Sequence, residues 1–435
     1  MDSSTQRPPR SEPLTASTTA GGPGTATSST RRSSRGADVL VLAGVVFLLL
    51  VASELFLRWV APVSDPYEGV KSRAYINRFI RSEFPPHLQL KTEAEPGLPG
   101  LAGFHRFTTN NVGLRGDSLA RPKPANEYRV FMIGGSTVEC LYLDDSEAVT
   151  TVLQRNLARV VPAGRVVKVY NAGKSGDRTD DHISMLVHRL VHLQPDLVVV
   201  MLGLNDLRIS LAGFDFRHFD PRPAYVTAAA PPPLRLRDFV LLSVTEFQLG
   251  RRLFYAIQRT RPRTAQEVQE TIALRSTDRV AAERAARLRV STRPPHGDTL
   301  AFHHNVASLV GIAQAQGVPI VLVTQGSTWG SADTVTRRWH WMLAVGDTAY
   351  PESGMMRGLE ELNDVTRTVA HDRGVPLYDL ARMIPATGQQ YYDDAHFNVA
   401  GAALAGESLA KFIAGLDLPG LTRPETAAAA KKRAF

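Results

Sequence analysis

The chain has 435 residues, 43% of them hydrophobic and 21% charged, which is long and apolar enough to bury a sizeable core. Its formal net charge is +8, but the basic residues are scattered, mostly Arg, and no recognition module accompanies them; a solvated basic surface is expected, and no nucleic-acid partner. The single cysteine, Cys140, excludes an intramolecular disulfide framework.

Residues 1–36 are rich in Ser, Thr, Pro, Gly and Arg and nearly lack large apolar side chains, so they are expected to form a disordered tail. Composition changes abruptly at Ala37. From there to Ala61 the chain is apolar, with an uncharged run from Val39 to Ser53. A helix of about 20 residues crosses the roughly 30 Å bilayer core, so 37–61 is expected to anchor the protein in a membrane. Glu54 and Arg58, four apart near the distal end, are placed to pair, and Trp59 suits the interface. The long preceding tail favours an uncleaved anchor over a cleaved signal peptide, for which Val51 and Ser53 offer a passable site. Arg31, Arg32 and Arg35 favour a cytoplasmic N-terminus, hence an extracytoplasmic remainder, although Arg58, Lys71 and Arg73 weaken the asymmetry.

A lead-in segment over 62–126 is followed by a domain over 127–417 and a tail over 418–435. Within the domain, continuous apolar runs read as strands at Tyr128–Ile133, Val166–Tyr170, Leu197–Leu202, Pro319–Thr324 and Val375–Tyr378. Helical spacing marks Glu147–Val160, Thr179–His192, Leu300–Gln316, Gly358–Arg373 and Ala400–Leu416 between and after them. This alternation predicts an α/β fold, a flavodoxin-like, doubly wound, five-stranded parallel sheet whose ligands bind beyond the carboxyl ends of the strands. Two insertions interrupt the rhythm. Residues 214–299 contain Pro231–Pro233 and an apolar stripe of Phe239, Leu242, Phe247, Phe254 and Ile257; residues 326–352 carry Trp329, Trp339 and Trp341. Each is read as a lid or substrate wall, or as packing on the core.

The chemistry-bearing residues fall at the strand ends. Gly134-Gly135-Ser136-Thr137 follows the first strand, Asn171 to Asp177 the second and Gly203-Leu204-Asn205-Asp206 the third. After the fifth comes Asp393-Asp394-Ala395-His396-Phe397-Asn398. A serine needs a histidine to take its proton and a carboxylate to orient that histidine, and all three residue types open at one rim here. A backbone N–H from Gly176 and the Asn205 amide are donor types that stabilise an oxyanion. His188 with His192, and His303 with His304, read as helix-surface histidines rather than metal ligands; Cys140 reads as a small buried residue.

Together the blocks at 134–137, 171–177, 203–206 and 393–398 resemble those of the SGNH/GDSL hydrolases, over roughly residues 105–415. Thr109 to Gly116 resembles a lead-in of membrane-anchored members. The resemblance implies Ser136 as nucleophile, Asp393 and His396 as the rest of a catalytic triad, and Ser136, Gly176 and Asn205 as the oxyanion hole. It implies no metal or organic cofactor. Gly135 departs from the family's commoner Asp before the serine, which bears on substrate preference. The expected function is a serine esterase acting on a carboxylic ester, including acetyl esters, of a small molecule or glycan. The alternatives are an O-acyltransferase on a cell-envelope glycan using the same triad, and a non-catalytic envelope-binding protein.

Overall fold

Alternate side chains along each central strand enter two different apolar cores, as a sheet covered on both faces requires. In β3 (Glu127–Gly134), Tyr128, Val130 and Met132 join one core while Phe131 and Ile133 join the other. The same division holds in β5 (Leu197–Met201) and β8 (Ile320–Val323). With β4 (Val166–Gly173) and β11 (Leu377–Tyr378), these strands form a five-stranded sheet in the order β11-β8-β5-β3-β4. Every pair in it is parallel, and β3–β4 runs in continuous register from Glu127↔Val166 to Gly134↔Gly173. This is the doubly wound order expected from the sequence.

The computed structural model describes residues 34–63, 65, 80, 83–213, 240, 243–257, 272–275, 278–293 and 295–421. The chain divides into two units, Met1–Ala61 and Pro62–Phe435. In the first, helix α1 (Ser34–Val60) covers the stretch expected to be an anchor; Gly36–Val60 is long and apolar enough to cross a membrane, and its most apolar 18-residue window has a mean hydropathy of 2.7. Glu54 and Arg58 do pair, at 2.8 Å. Tail residues 1–33 and 422–435 lie outside the described residues, as do Pro231–Pro233, Phe239 and Leu242 of the insertion.

In the second unit, helices α3 (Val149–Leu157) and α11 (Val399–Ala414) pack together on one face of the sheet. The other face carries α4 (Thr179–His188), α8 (Thr299–Ala315) and α9 (Glu352–Arg373). Two starts bear on the site. Asn398 Oδ1 accepts the Gly401 N–H at 3.0 Å, which fixes the beginning of α11 three residues after His396. Gly203, at φ 118, makes a turn that a side chain would strain and sends the chain directly from β5 into α5 (Leu204–Leu211). The sequence reading treated that stretch as a loop.

The lead-in and the first insertion are joined, which no local pattern foretold. Strands β1 (Gln89–Glu93) and β2 (Phe104–Thr108) form an antiparallel pair, and β6 (Ile272–Arg275) adds to β1 in parallel. Of the insertion's apolar stripe, Phe247 and Ile257 are exposed. In the second insertion, β9 (Ala344–Val345) and β10 (Thr348–Ala349) form a short hairpin paired to β7 (Arg289–Val290).

Candidate active site

Parallel strands all end at one edge, and β3 sits where the chain winds off in both directions, so the crevice opens at its carboxyl end. Ser136 stands there. It is the first residue of a single-turn helix, α2 (Ser136–Glu139), so its N–H has no intrahelical acceptor and remains available at the rim. Cys140 closes the turn in the left-handed region (φ 54), its N–H donating to Ser136 O at 3.1 Å. Burial pushes the Cys140 thiol up, in keeping with an inert small core residue.

The carbonyls beyond α2 converge on Arg115. Its guanidinium donates to Glu139 O (3.0 Å), Cys140 O (2.8 Å) and Leu143 O (2.6 Å), and pairs with Asp145 at 2.8 Å. The loop after β4 is stitched to the same turn. Asn171 Nδ2 donates to Val138 O at 2.6 Å, Lys174 N to Gly134 O at 3.0 Å, and Ser175 N to the Glu139 carboxylate.

From the third loop, Asn205 Nδ2 donates to Asp177 O at 2.8 Å, which leaves one of its two amide hydrogens for a ligand. A Cβ at residue 135 would lie 2.6 Å from that nitrogen, so Gly135 is the residue that lets Asn205 come this close to the serine turn. A shallow recess beside Ser136 is lined by Gly135, Asp177, Gly203, Asn205 and Gln325. Gly176 adjoins it through Asp177 and is not one of the lining residues. Asp206 is buried and accepts from Thr179 N (3.1 Å) and Oγ1 (2.6 Å); burial outweighs these bonds and pushes its carboxyl up to about 7.

The loop before α11 comes back to the serine from 257 or more residues away in sequence. Ser136 Oγ lies 2.7 Å from His396 Nε2, and His396 Nδ1 lies 2.7 Å from Asp393 Oδ2. Asp393 is fully buried; Oδ1 accepts from Ala395 N (3.0 Å) and His396 N (2.9 Å), while Oδ2 also accepts from Trp341 Nε1 at 3.1 Å. Burial disfavours both charged forms, but each partner's charge and hydrogen bonds prevail: the Asp393 carboxyl is held below, and the His396 imidazolium above, its usual range. The Tyr392 ring stacks on His396 at 5.4 Å between centroids.

The structure therefore brings together Ser136, His396, Asp393 and Asn205, with Gly176 one residue from the recess. His188 lies on α4, His192 just beyond it, and His303 and His304 on α8; among the described residues no group of three or more His, Cys, Asp or Glu is arranged to hold a metal ion. Sequence reasoning missed the parts played by Arg115, Gln325 and Trp341. The available signal for Trp341 was only that its segment follows β8, so that it starts at the same rim.

The chain matches the model of the GDSL-like lipase/acylhydrolase family over residues 132–404. No curated protein matches it. Among solved structures it is similar to LAE5, an alpha/beta hydrolase enzyme from the metagenome of Lake Arreo, at 16% identity, covering 66% of this chain and 94% of that one, with a TM-score of 0.36. It is also similar to Axe2, an acetylxylan esterase from Geobacillus stearothermophilus (14% identity, 68% and 97% covered, TM-score 0.35). A third is a putative GDSL-like lipase from Parabacteroides merdae (11%, 66% and 94%, TM-score 0.39). The family match runs from inside β3 into α11, well over half of the chain, and the protein belongs to the GDSL-like lipase/acylhydrolase family as an ester-hydrolysing enzyme.

Proposed function

We propose that the protein is a serine esterase that works through an acyl-enzyme, with Ser136 as nucleophile, His396 as general base and acid, and Asp393 as the carboxylate that orients it. The observation that supports this is the relay of two 2.7 Å contacts, Ser136 Oγ to His396 Nε2 and His396 Nδ1 to Asp393 Oδ2.

His396 takes the hydroxyl proton as Ser136 Oγ bonds to the ester carbonyl carbon. The resulting oxyanion is stabilised by the Ser136 N–H, the free hydrogen of the Asn205 amide and the Gly176 N–H, each such donor being worth about 3–4 kcal/mol in the barrier. The C–O bond to the alcohol then breaks, and the alcohol leaves with the proton from His396. Water, deprotonated by the same histidine, attacks the acyl-enzyme and releases the acid and the free serine. The recess is small and polar, which favours a short acyl group such as acetyl.

The cationic residues ahead of α1 support an N-terminus in the cytoplasm and the catalytic domain, residues 127–417, outside it. An acylated glycan or lipid of the cell envelope is the substrate class that follows from this placement. A C-terminal reporter found in the cytoplasm would exclude it. For the chemistry, the test is labelling by a fluorophosphonate and turnover of a panel of acetyl and longer-chain esters, wild type against Ser136→Ala. Loss of both in the variant is expected; retention of either at the wild-type rate removes Ser136 from its role.

A further inference from the structure

We infer that the segment between β8 and α9, residues 326–352, is a positioning device for the triad, in which Trp341 ties down the Asp393 carboxylate and Asp394 ties down Trp341. The inference rests on the triad reading above and assigns the second insertion a role in that reaction.

A fully buried carboxylate stays charged only if donors replace the water it has lost. Asp393 has four. Three belong to its own loop: the N–H groups of Ala395 and His396 and the His396 ring. These move with the loop and cannot hold it against the serine turn on β3. The fourth, the Trp341 indole N–H at 3.1 Å, comes from 52 residues earlier and does supply an external hold. An indole nitrogen donates, does not accept and does not titrate, so it suits an anion that must stay in one place across the working pH range.

Trp341 is itself seated by the neighbouring carboxylate. Asp394 is fully buried and accepts from Trp341 N (2.8 Å), Met342 N (3.1 Å) and Trp329 Nε1 (2.7 Å). Thr328 fastens the start of the segment, its N–H donating to Asp394 O at 2.8 Å and its hydroxyl to Asp393 O at 2.9 Å. Arg208, from α5, lies over the Trp341 ring at 5.0 Å and donates to Ala344 O at 3.3 Å. The His396 ring is nearly parallel to the indole, 20° between planes at 6.4 Å. The three tryptophans thus differ: Trp329 binds Asp394, Trp339 fills an apolar core, and Trp341 alone reaches the triad carboxylate.

The consequence is readable in pH dependence. Removing one donor makes Asp393 more basic, so it draws the His396 proton more strongly, and the histidine becomes a free base only at higher pH. The other charged or titratable groups around this pair are Asp394 and Asp278, which also favour the imidazolium, Arg208 beside Trp341, and His340, which contacts Thr328. Trp341→Phe leaves all of them in place and keeps an aromatic ring.

The test uses the full chain in detergent micelles, with fluorophosphonate labelling rate and 4-nitrophenyl acetate turnover followed from about pH 5 to about pH 9. In Trp341→Phe both rates are expected to fall about tenfold, and the acid limb to move up by roughly half a pH unit or more. Trp339→Phe, which alters the apolar core and removes no bond to either carboxylate, is expected to lower Tm without moving the limb. On the wild type, an indole N–H resonance assigned to Trp341 should shift with the midpoint of the acid limb. Rates within twofold of wild type, a slower enzyme whose limb has not moved, or an indole resonance indifferent to that midpoint would each overturn the inference. Labelling of Ser136→Ala at the wild-type rate is a separate failure: it removes the triad reading, and this inference with it.

Discussion

The two halves of the site are held by different means. The Ser136 half is local: β3 ends, Gly135 turns, and Ser136 starts a short helix whose end carbonyls are gathered by Arg115 and whose flank is stitched to the next loop. The His396 half is not. The loop carrying Asp393 and His396 lies beyond β11, and most of the bonds that fix it from outside come from the tryptophan-bearing segment, with Thr137 Oγ1 adding one to Ala395 O at 3.4 Å. A serine can be aimed by the end of one strand and a tight turn. An imidazole 260 positions away must be aimed by whatever packs around it, which makes the His396 half the place where a distant change reaches the site.

Breaking the local half should cost stability first. Arg115 is buried and holds four carbonyls, those of Arg106, Glu139, Cys140 and Leu143, as well as Asp145, so Arg115→Met strands several polar groups; a loss of about 3 kcal/mol is expected, seen as a lower Tm, with the acid limb of the pH profile unmoved. A moved limb would mean the halves are not separable in this way.

Asp206 sharpens the same comparison through pH. Its folded pKa, about 7, lies above the unfolded value near 4, so the folded state holds a proton that the unfolded state has lost. Stability from this group is complete at low pH and is lost as pH rises, at most about 1.4 kcal/mol per unit, or about 2 kcal/mol between pH 5 and 7. Asp206→Asn, which cannot ionise, should flatten that part of the denaturant-midpoint profile; an unchanged slope would show that Asp206 is ionised without penalty.

The smallest effect is expected at Gly135. In Gly135→Ala the new methyl would lie 2.6 Å from the Asn205 amide nitrogen, so the end of that side chain has to swing aside and strain its bond to Asp177 O. About a tenfold fall in kcat with little change in Tm is expected. A loss of stability as large as that of Arg115→Met would instead make the glycine a folding requirement.

Much of this was legible beforehand because it is written in local pattern. Runs such as Val198-Val199-Val200 and the helical spacing of Phe302, Val306, Leu309 and Val310 depend only on which neighbours are apolar, and the rim follows from parallel strands. Short helices were harder. α5 begins on Asn205-Asp206, residues that close loops as readily as they open helices, and what decides is Gly203 at positive φ. The pairing of β1 with β6 was invisible, since Leu90 and Ile272 carry no mark of each other.

By itself the sequence determined the order of the five central strands and the long helices around them, the apolar helix at the N-terminus, and the kinds of side chain at each strand end. Those features follow from hydrophobic period and from glycine, serine and histidine at loop positions. Tertiary structure alone decided which of three tryptophans meets the Asp393 carboxylate, that Arg115 closes the serine turn, and that Gly135 clears a path for Asn205. Such contacts depend on distances of a few ångströms between segments far apart in the chain, and no residue carries that information in its own neighbourhood.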